Sequence, residues 1–173
     1  RLLKMAAGAD VKAHPAAEYF PGKVPPDAKR VTQNVEIDPS IPAWHSTGLY
    51  AAAGESITVT VPAAIAGRGF AVRIGCHTDT LYHLESWSRA PDISRSVPLK
   101  EPVTVVAGAF GGLVYIEAPG KEVTGPPVSV TLAGAVEAPL FVLGKTDDRA
   151  WNETIKKRPA PWAELACDKL VRL

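Results

Sequence analysis

Cysteine is scarce in this chain: Cys76 and Cys167 are the two in 173 residues. That rules out a disulfide framework, and at the end of an apolar strand a free, buried thiol is the expectation for Cys76. Charge of one sign is missing as well. Nineteen Lys and Arg stand against eighteen Asp and Glu for a net +1, which leaves no basic footprint for nucleic acid or an anionic membrane. No apolar run approaches the roughly 20 residues that a spanning helix needs, and no signal-peptide pattern follows Arg1. The first residue is not Met, so the chain is expected to be a piece of something longer. Catalytic signatures are equally absent: there is no HExxH, no G-x-S-x-G elbow, and no Lys-Ser or Lys-Thr after the glycine-rich Gly108–Gly112 stretch. A tight turn explains those glycines better than a phosphate cradle.

What is abundant is punctuation. Sixteen prolines and fourteen glycines, with little sustained helical periodicity, indicate an all-β chain with many turns. Ser56 to Val61 alternates cleanly, Ile57, Val59 and Val61 opposing Thr58 and Thr60, as a half-buried antiparallel strand does. Ser46 to Ala51, Phe70 to Cys76, Glu101 to Ala107, Val128 to Ala133 and Leu140 to Leu143 read as further strands. Leu113-Val-Tyr-Ile116 is apolar on both faces, which predicts a central one. Near the end, Thr146 or Asp147 can cap a helix whose Trp151 and Ile155 share a face, with Lys156-Lys-Arg158 and Pro159 closing it. Pro161 to Leu165 then reads as a helical turn leading into a last strand. The architecture expected is an antiparallel two-sheet sandwich, jelly-roll-like, with one appended short helix. Residues 1–38 read as a leader or linker with a possible short helix, 39–145 as the sandwich, and 146–173 as the helix and the start of a following region.

The chemistry concentrates in one place, the loop that follows Phe70 to Cys76. His77, Asp79, Tyr82, His83, Glu85, Trp87, Arg89 and Pro91 crowd together there in a chain otherwise rich in Ala, Val, Pro and Gly. A metal site is disfavoured because the spacings His77-x-Asp79 and His83-x-Glu85 lack the i,i+4 histidines of a helical zinc site. Carboxylate pairs drawn from Asp79, Glu85 and Asp92 carry little information without geometry. A binding edge suits the composition better, since Tyr82 and Trp87 offer flat apolar faces and His77, Asp79 and Arg89 offer donors and acceptors for a sugar ring or a protein partner. Arg73, on the strand feeding the loop, completes the set of candidate binding residues. The structural alternative has equal weight: Trp87 plugs the end of the sandwich and Arg89 pairs with Asp79 or Asp92.

A further reading comes from motifs in order: Trp44-His-Ser-Thr-Gly-Leu-Tyr50, Gly54 to Val61, Val72-Arg-Ile-Gly-Cys-His-Thr-Asp79, Trp87-Ser-Arg89 with Pro91, Phe110 to Ile116, Ala138-Pro139 and Pro161-Trp-Ala-Glu-Leu165. Together they resemble the N-terminal part of the enhancin-like, mucin-degrading zinc metallopeptidases, family M-60, and the related TRP channel-associated factors. The resemblance implies an accessory jelly-roll-like β domain ahead of a zinc-bearing HExxH catalytic domain. It also implies that this chain holds no cofactor and no catalytic residue of its own. The implied partners are the C-terminal catalytic domain of the same protein and glycans or glycoproteins, in an extracellular or periplasmic setting. The alternative from the channel-associated relatives is a free-standing glycan- or protein-binding module.

Overall fold

The computed structural model describes residues 10–119, 123, 125–167 and 170–172, the last three as backbone. Its strands are β1 (Val31–Ile37), β2 (Trp44–Ala51), β3 (Ser56–Thr60), β4 (Ala71–Ile74), β5 (Arg95–Pro98), β6 (Val103–Ala107), β7 (Gly112–Glu117), β8 (Val128–Glu137), β9 (Leu140–Val142), β10 (Glu164–Cys167) and β11 (Leu170–Arg172). Eight of them form one antiparallel sheet in the order β5-β4-β7-β2-β8-β3-β6, with β1 also paired to β8. The chain is all-β, as expected, and the sheet nearly closes on itself.

Strand β8 makes that closure possible. Its first part pairs with β1 and β3, whereas Val136 and Glu137 pair with β2, so one strand serves both layers. The bend falls at Gly134, whose φ of +94° is open to glycine and whose Cβ, if present, would lie 3.0 Å from the Ser56 carbonyl oxygen. Between the layers sits the main core: Ile37, Ile57, Val59, Val106, Val130 and Leu132 face Leu49, Val72, Ile74, Val114 and Ile116. At the far ends of the sheet Arg95 of β5 donates to the Ala107 carbonyl of β6 at 2.9 Å, drawing the two edge strands together.

Strand β7 lies between β4 and β2, and its outer face is also covered. Leu113 and Tyr115 pack with Tyr50 under Val24 and Ala28 from the N-terminal segment and Ala160 and Trp162 from the C-terminal one. Burial on both faces is the physical reason its sequence is apolar throughout. Residues 10–30 therefore lie on the body of the protein, and Ala17, Ile93 and Phe110 form a smaller cluster where the 3-10 turn Pro15–Glu18 meets it. The rest of the N-terminal helix expectation falls on residues 1–9, outside the described residues.

Two local expectations are corrected. The helix α1 spans only Asp148–Glu153, because Thr154 leaves helical geometry (φ −133°, ψ −54°) and Ile155 sits in a separate 3-10 turn; Asp147 does cap it, accepting the Ala150 N–H at 2.9 Å. No helical turn forms at Pro161. The Trp162 indole N–H donates to the Pro21 carbonyl at 2.7 Å and the Glu164 N–H to the Pro139 carbonyl at 2.8 Å, which holds the segment extended into β10. A small second sheet follows, in the order β11-β10-β9, and its β9–β10 pair is parallel.

Candidate functional site

The loop after β4 is built on a narrow neck. Gly75 and Gly112 touch so closely that a Cβ on Gly112 would fall 2.5 Å from the Gly75 Cα, so the loop leaves the sheet against bare backbone. Beyond them the Ile93 N–H donates to the His77 carbonyl at 3.1 Å and the Asp92 N–H to the Asp79 carbonyl at 2.9 Å, which ties both ends together. Asp92 holds a left-handed φ of 42°, a conformation most side chains avoid.

Immediately above the neck the polar groups are consumed by one another. The His77 ring lies between Phe20, 4.7 Å away, and Trp162, 4.8 Å away. Burial, then the nearby Arg89 cation, pushes the His77 pKa below its ordinary value against the pull of Asp79. Arg89 pairs with Asp79, donates to the Ala90 carbonyl at 3.2 Å and stands 5.1 Å from the Phe20 ring centre. The structural alternative for Arg89 is thus what the chain adopts. Arg73 sits lower, on the sheet: it pairs with Glu117, donates to Ser94 Oγ at 3.0 Å and lies 4.1 Å from the Trp44 ring centre. Ser96 Oγ donates to the other Glu117 oxygen at 2.7 Å and Ser94 Oγ to Asp92 at 3.2 Å, so this network braces the loop's return.

The tip differs. A 3-10 turn at Leu81–His83 carries Tyr82, 64% exposed, followed by Leu84 at 47% and Trp87 at 50%. Tyr82 and Trp87 meet edge to face at 5.4 Å. Trp87 does not plug the end of the sandwich; half of its surface faces water. The structure therefore divides the candidates, with Arg73, His77, Asp79 and Arg89 held in internal contacts and Tyr82 and Trp87 presented outward.

The residues named for a metal do not converge. His77 is half-buried against two aromatic rings, Asp79 is paired with Arg89, and His83 points Nδ1 at the Thr80 carbonyl, 3.3 Å away. Among the described residues no group of three or more His, Cys, Asp and Glu is placed to hold a metal ion. Burial drives the Cys76 thiol up to about 11, which favours the neutral thiol over the thiolate. Both cysteines are free. Sequence reasoning missed Phe20, which sits in the supposed linker, and it quoted Trp44 and Trp162 only as parts of motifs.

The sequence model described as the N-terminal domain of M60-like peptidases matches residues 26–133, and that of Peptidase M60, enhancin and enhancin-like, matches residues 134–172. The chain belongs to the M60-like peptidase family. TRPM8 channel-associated factor 2 from Homo sapiens is 40% identical over 128 residues, covering 74% of this chain and 14% of that protein. TRPM8 channel-associated factor 3 from Mus musculus is 36% identical over 151 residues, 87% of this chain and 16% of its own. The chain thus spans a small fraction of the curated relatives it matches. Among solved structures, the IMPa metallopeptidase from Pseudomonas aeruginosa aligns with a TM-score of 0.60 at 18% identity, over 83% of this chain and 17% of that one. The catalytic module of the metalloprotease ZmpA from Clostridium perfringens aligns at 0.58 and 14%, over 80% and 33%. At those identities the structures speak for the shared fold.

Proposed function

We propose that this M60-like N-terminal segment is the accessory jelly-roll-like β domain of a glycoprotein-directed peptidase, and that the loop tip at Tyr82 and Trp87 is its working edge. The observation that carries the reading is the exposed edge-to-face ring pair mounted on a rigid, internally satisfied base. Stacking area of that kind suits a sugar ring, and a fixed base lowers the ordering cost of binding. An IMPa structure was solved in complex with T-antigen, which supports a glycan as the class of ligand. In this reading zinc and HExxH reside in the catalytic region of the parent protein, and the domain positions substrate while packing on that region, outside the cell or in the periplasm.

A second reading, a binding module without peptidase activity, draws on the 40% identity to TRPM8 channel-associated factor 2. An HExxH in the parent protein favours the peptidase. For the tip itself the test is calorimetry of the chain against mucin-type O-glycans, beside a Trp87→Ala variant whose fold is confirmed by its melting curve. Binding lost in the variant is the expected result. Binding that survives removes Trp87 from the site, and no binding by either protein leaves docking on the catalytic region as the role of this edge.

A further inference from the structure

Glu164 is the first residue of β10 and is 0% exposed. Its side chain leaves the small sheet and enters the large one. Ser46 Oγ of β2 donates to Oε1 at 2.8 Å, while Oε2 has no hydrogen-bond partner. The other titratable groups facing it come from different elements, Tyr115 from β7 and Cys76 from the neck of the loop, and burial keeps both in their neutral forms by pushing their pKa values up. No Lys, Arg or His forms an ion pair with it among the recorded pairs of the described residues. Tyr115 itself belongs to the outer cluster of the large sheet, whose other members include Val24, Ala52, Val136, Ala138 and Ala160.

The location matters as much as the burial. Among the described residues, no strand of the β9–β10–β11 sheet pairs with a strand of the large sheet. Contacts at their junction include the Ala138 N–H to the Gly48 carbonyl at 2.8 Å, the Trp162 indole to the Pro21 carbonyl, the surface pair Arg158–Glu137 at 2.9 Å and the Glu164–Ser46 contact, beside the packing of Ala160 and Trp162 in the outer cluster of the large sheet. The stretches matched by the two family models meet at residues 133 and 134, within β8 and just before this junction. We propose that Glu164 is a protonation-controlled latch between the two sheets, closed as the neutral acid and released as the carboxylate.

The physical reason is asymmetry of cost. A neutral acid tolerates this buried site, whereas a carboxylate there lacks a cation and leaves Oε2 bare, with only the Ser46 hydroxyl and the Tyr115 phenol to favour it. Burial, the largest influence, raises the Glu164 pKa against the opposing pull of the Ser46 hydroxyl and the Tyr115 phenol. A raised carboxyl pKa stabilises the closed junction at low pH, and that stabilisation is lost as pH rises through the folded-state value. The latch stands apart from any ligand of the Tyr82–Trp87 tip.

Hydrogen exchange of the whole chain, read by mass spectrometry between pH 5 and pH 8 and corrected for intrinsic rates, tests it. Protection of residues 140–142 and 164–167, measured relative to β3, should fall about tenfold or more with rising pH in wild type and stay level in Glu164→Gln. His77, whose ring meets Trp162 near this junction, is present in both proteins, so the difference isolates Glu164. A wild-type ratio that does not move with pH, or one that moves identically in the variant, overturns the proposal. Should Glu164→Gln fail to fold, Ser46→Ala replaces it. Losing the donor that favours the carboxylate should shift the opening to higher pH, and an unshifted opening refutes the latch.

Discussion

The base and the tip of the loop after β4 are neighbours in sequence and opposites in use. At the base, Arg89 pairs with Asp79 and stands over Phe20, while the His77 ring packs against Phe20 and Trp162. At the tip, Tyr82 and Trp87 touch each other and otherwise face water. The residues with the most conspicuous chemistry are thus the mortar, and the apolar rings are the outward surface. A long loop leaving a sheet must satisfy its polar groups or lose its shape, so charged side chains near the neck find partners first. Large rings left in water have no such obligation, and their exposure is the more informative sign of a contact yet to be made.

The comparison can be broken at several points. Tyr115→Ala, beneath the base, should cost about 3 to 5 kcal/mol, because the ring is 3% exposed in the outer cluster of the sheet; a denaturant melt showing a loss under about 1 kcal/mol would mean the cover over β7 is loose. Trp162→Ala should follow at roughly 2 to 4 kcal/mol, since the indole is only partly buried yet contacts His77, Phe20 and the Pro21 carbonyl. The same variant should raise the His77 pKa by opening its ring to water, a shift that NMR titration would measure.

Smaller effects come from titration and from the ion pair. His77 has a lowered pKa, so its contribution to stability is complete above the ordinary histidine value of 6.5 and is lost as pH falls from there through the folded-state value. Melts of wild type and His77→Phe across pH 7 to 4 should therefore converge toward acid, and parallel curves would mean that the ring is not enclosed. Arg89→Lys should cost about 0.5 to 1 kcal/mol, because one Arg89 nitrogen meets the half-exposed Asp79 and a second meets the Ala90 carbonyl, which is not a bidentate clamp on the carboxylate. Least of all should Trp87→Ala disturb the fold, by under about 1 kcal/mol, while removing ligand binding at the tip. A large stability loss there would move Trp87 from tip to base.

The sequence by itself determined the strands whose residues alternate or are apolar on both faces, β3 and β7 above all, because side-chain direction has a period of two and burial selects for it locally. It also narrowed the helix cap to Thr146 or Asp147, of which the structure uses Asp147, and located the loop where the polar groups gather. Strand β5 escaped it, being four residues of mixed character ending in Pro98, and so did the parallel β9–β10 pair, whose partners lie on either side of α1. Only the tertiary structure decided which candidates of the loop were already occupied. Phe20 and Trp162 reach His77 from opposite ends of the chain, and Glu164 finds Ser46 across two sheets. Those contacts arise from the way β8 bends at Gly134 and from the two terminal segments lying over the outer face of β7, and partners chosen by such packing leave no periodic trace in the residues around them.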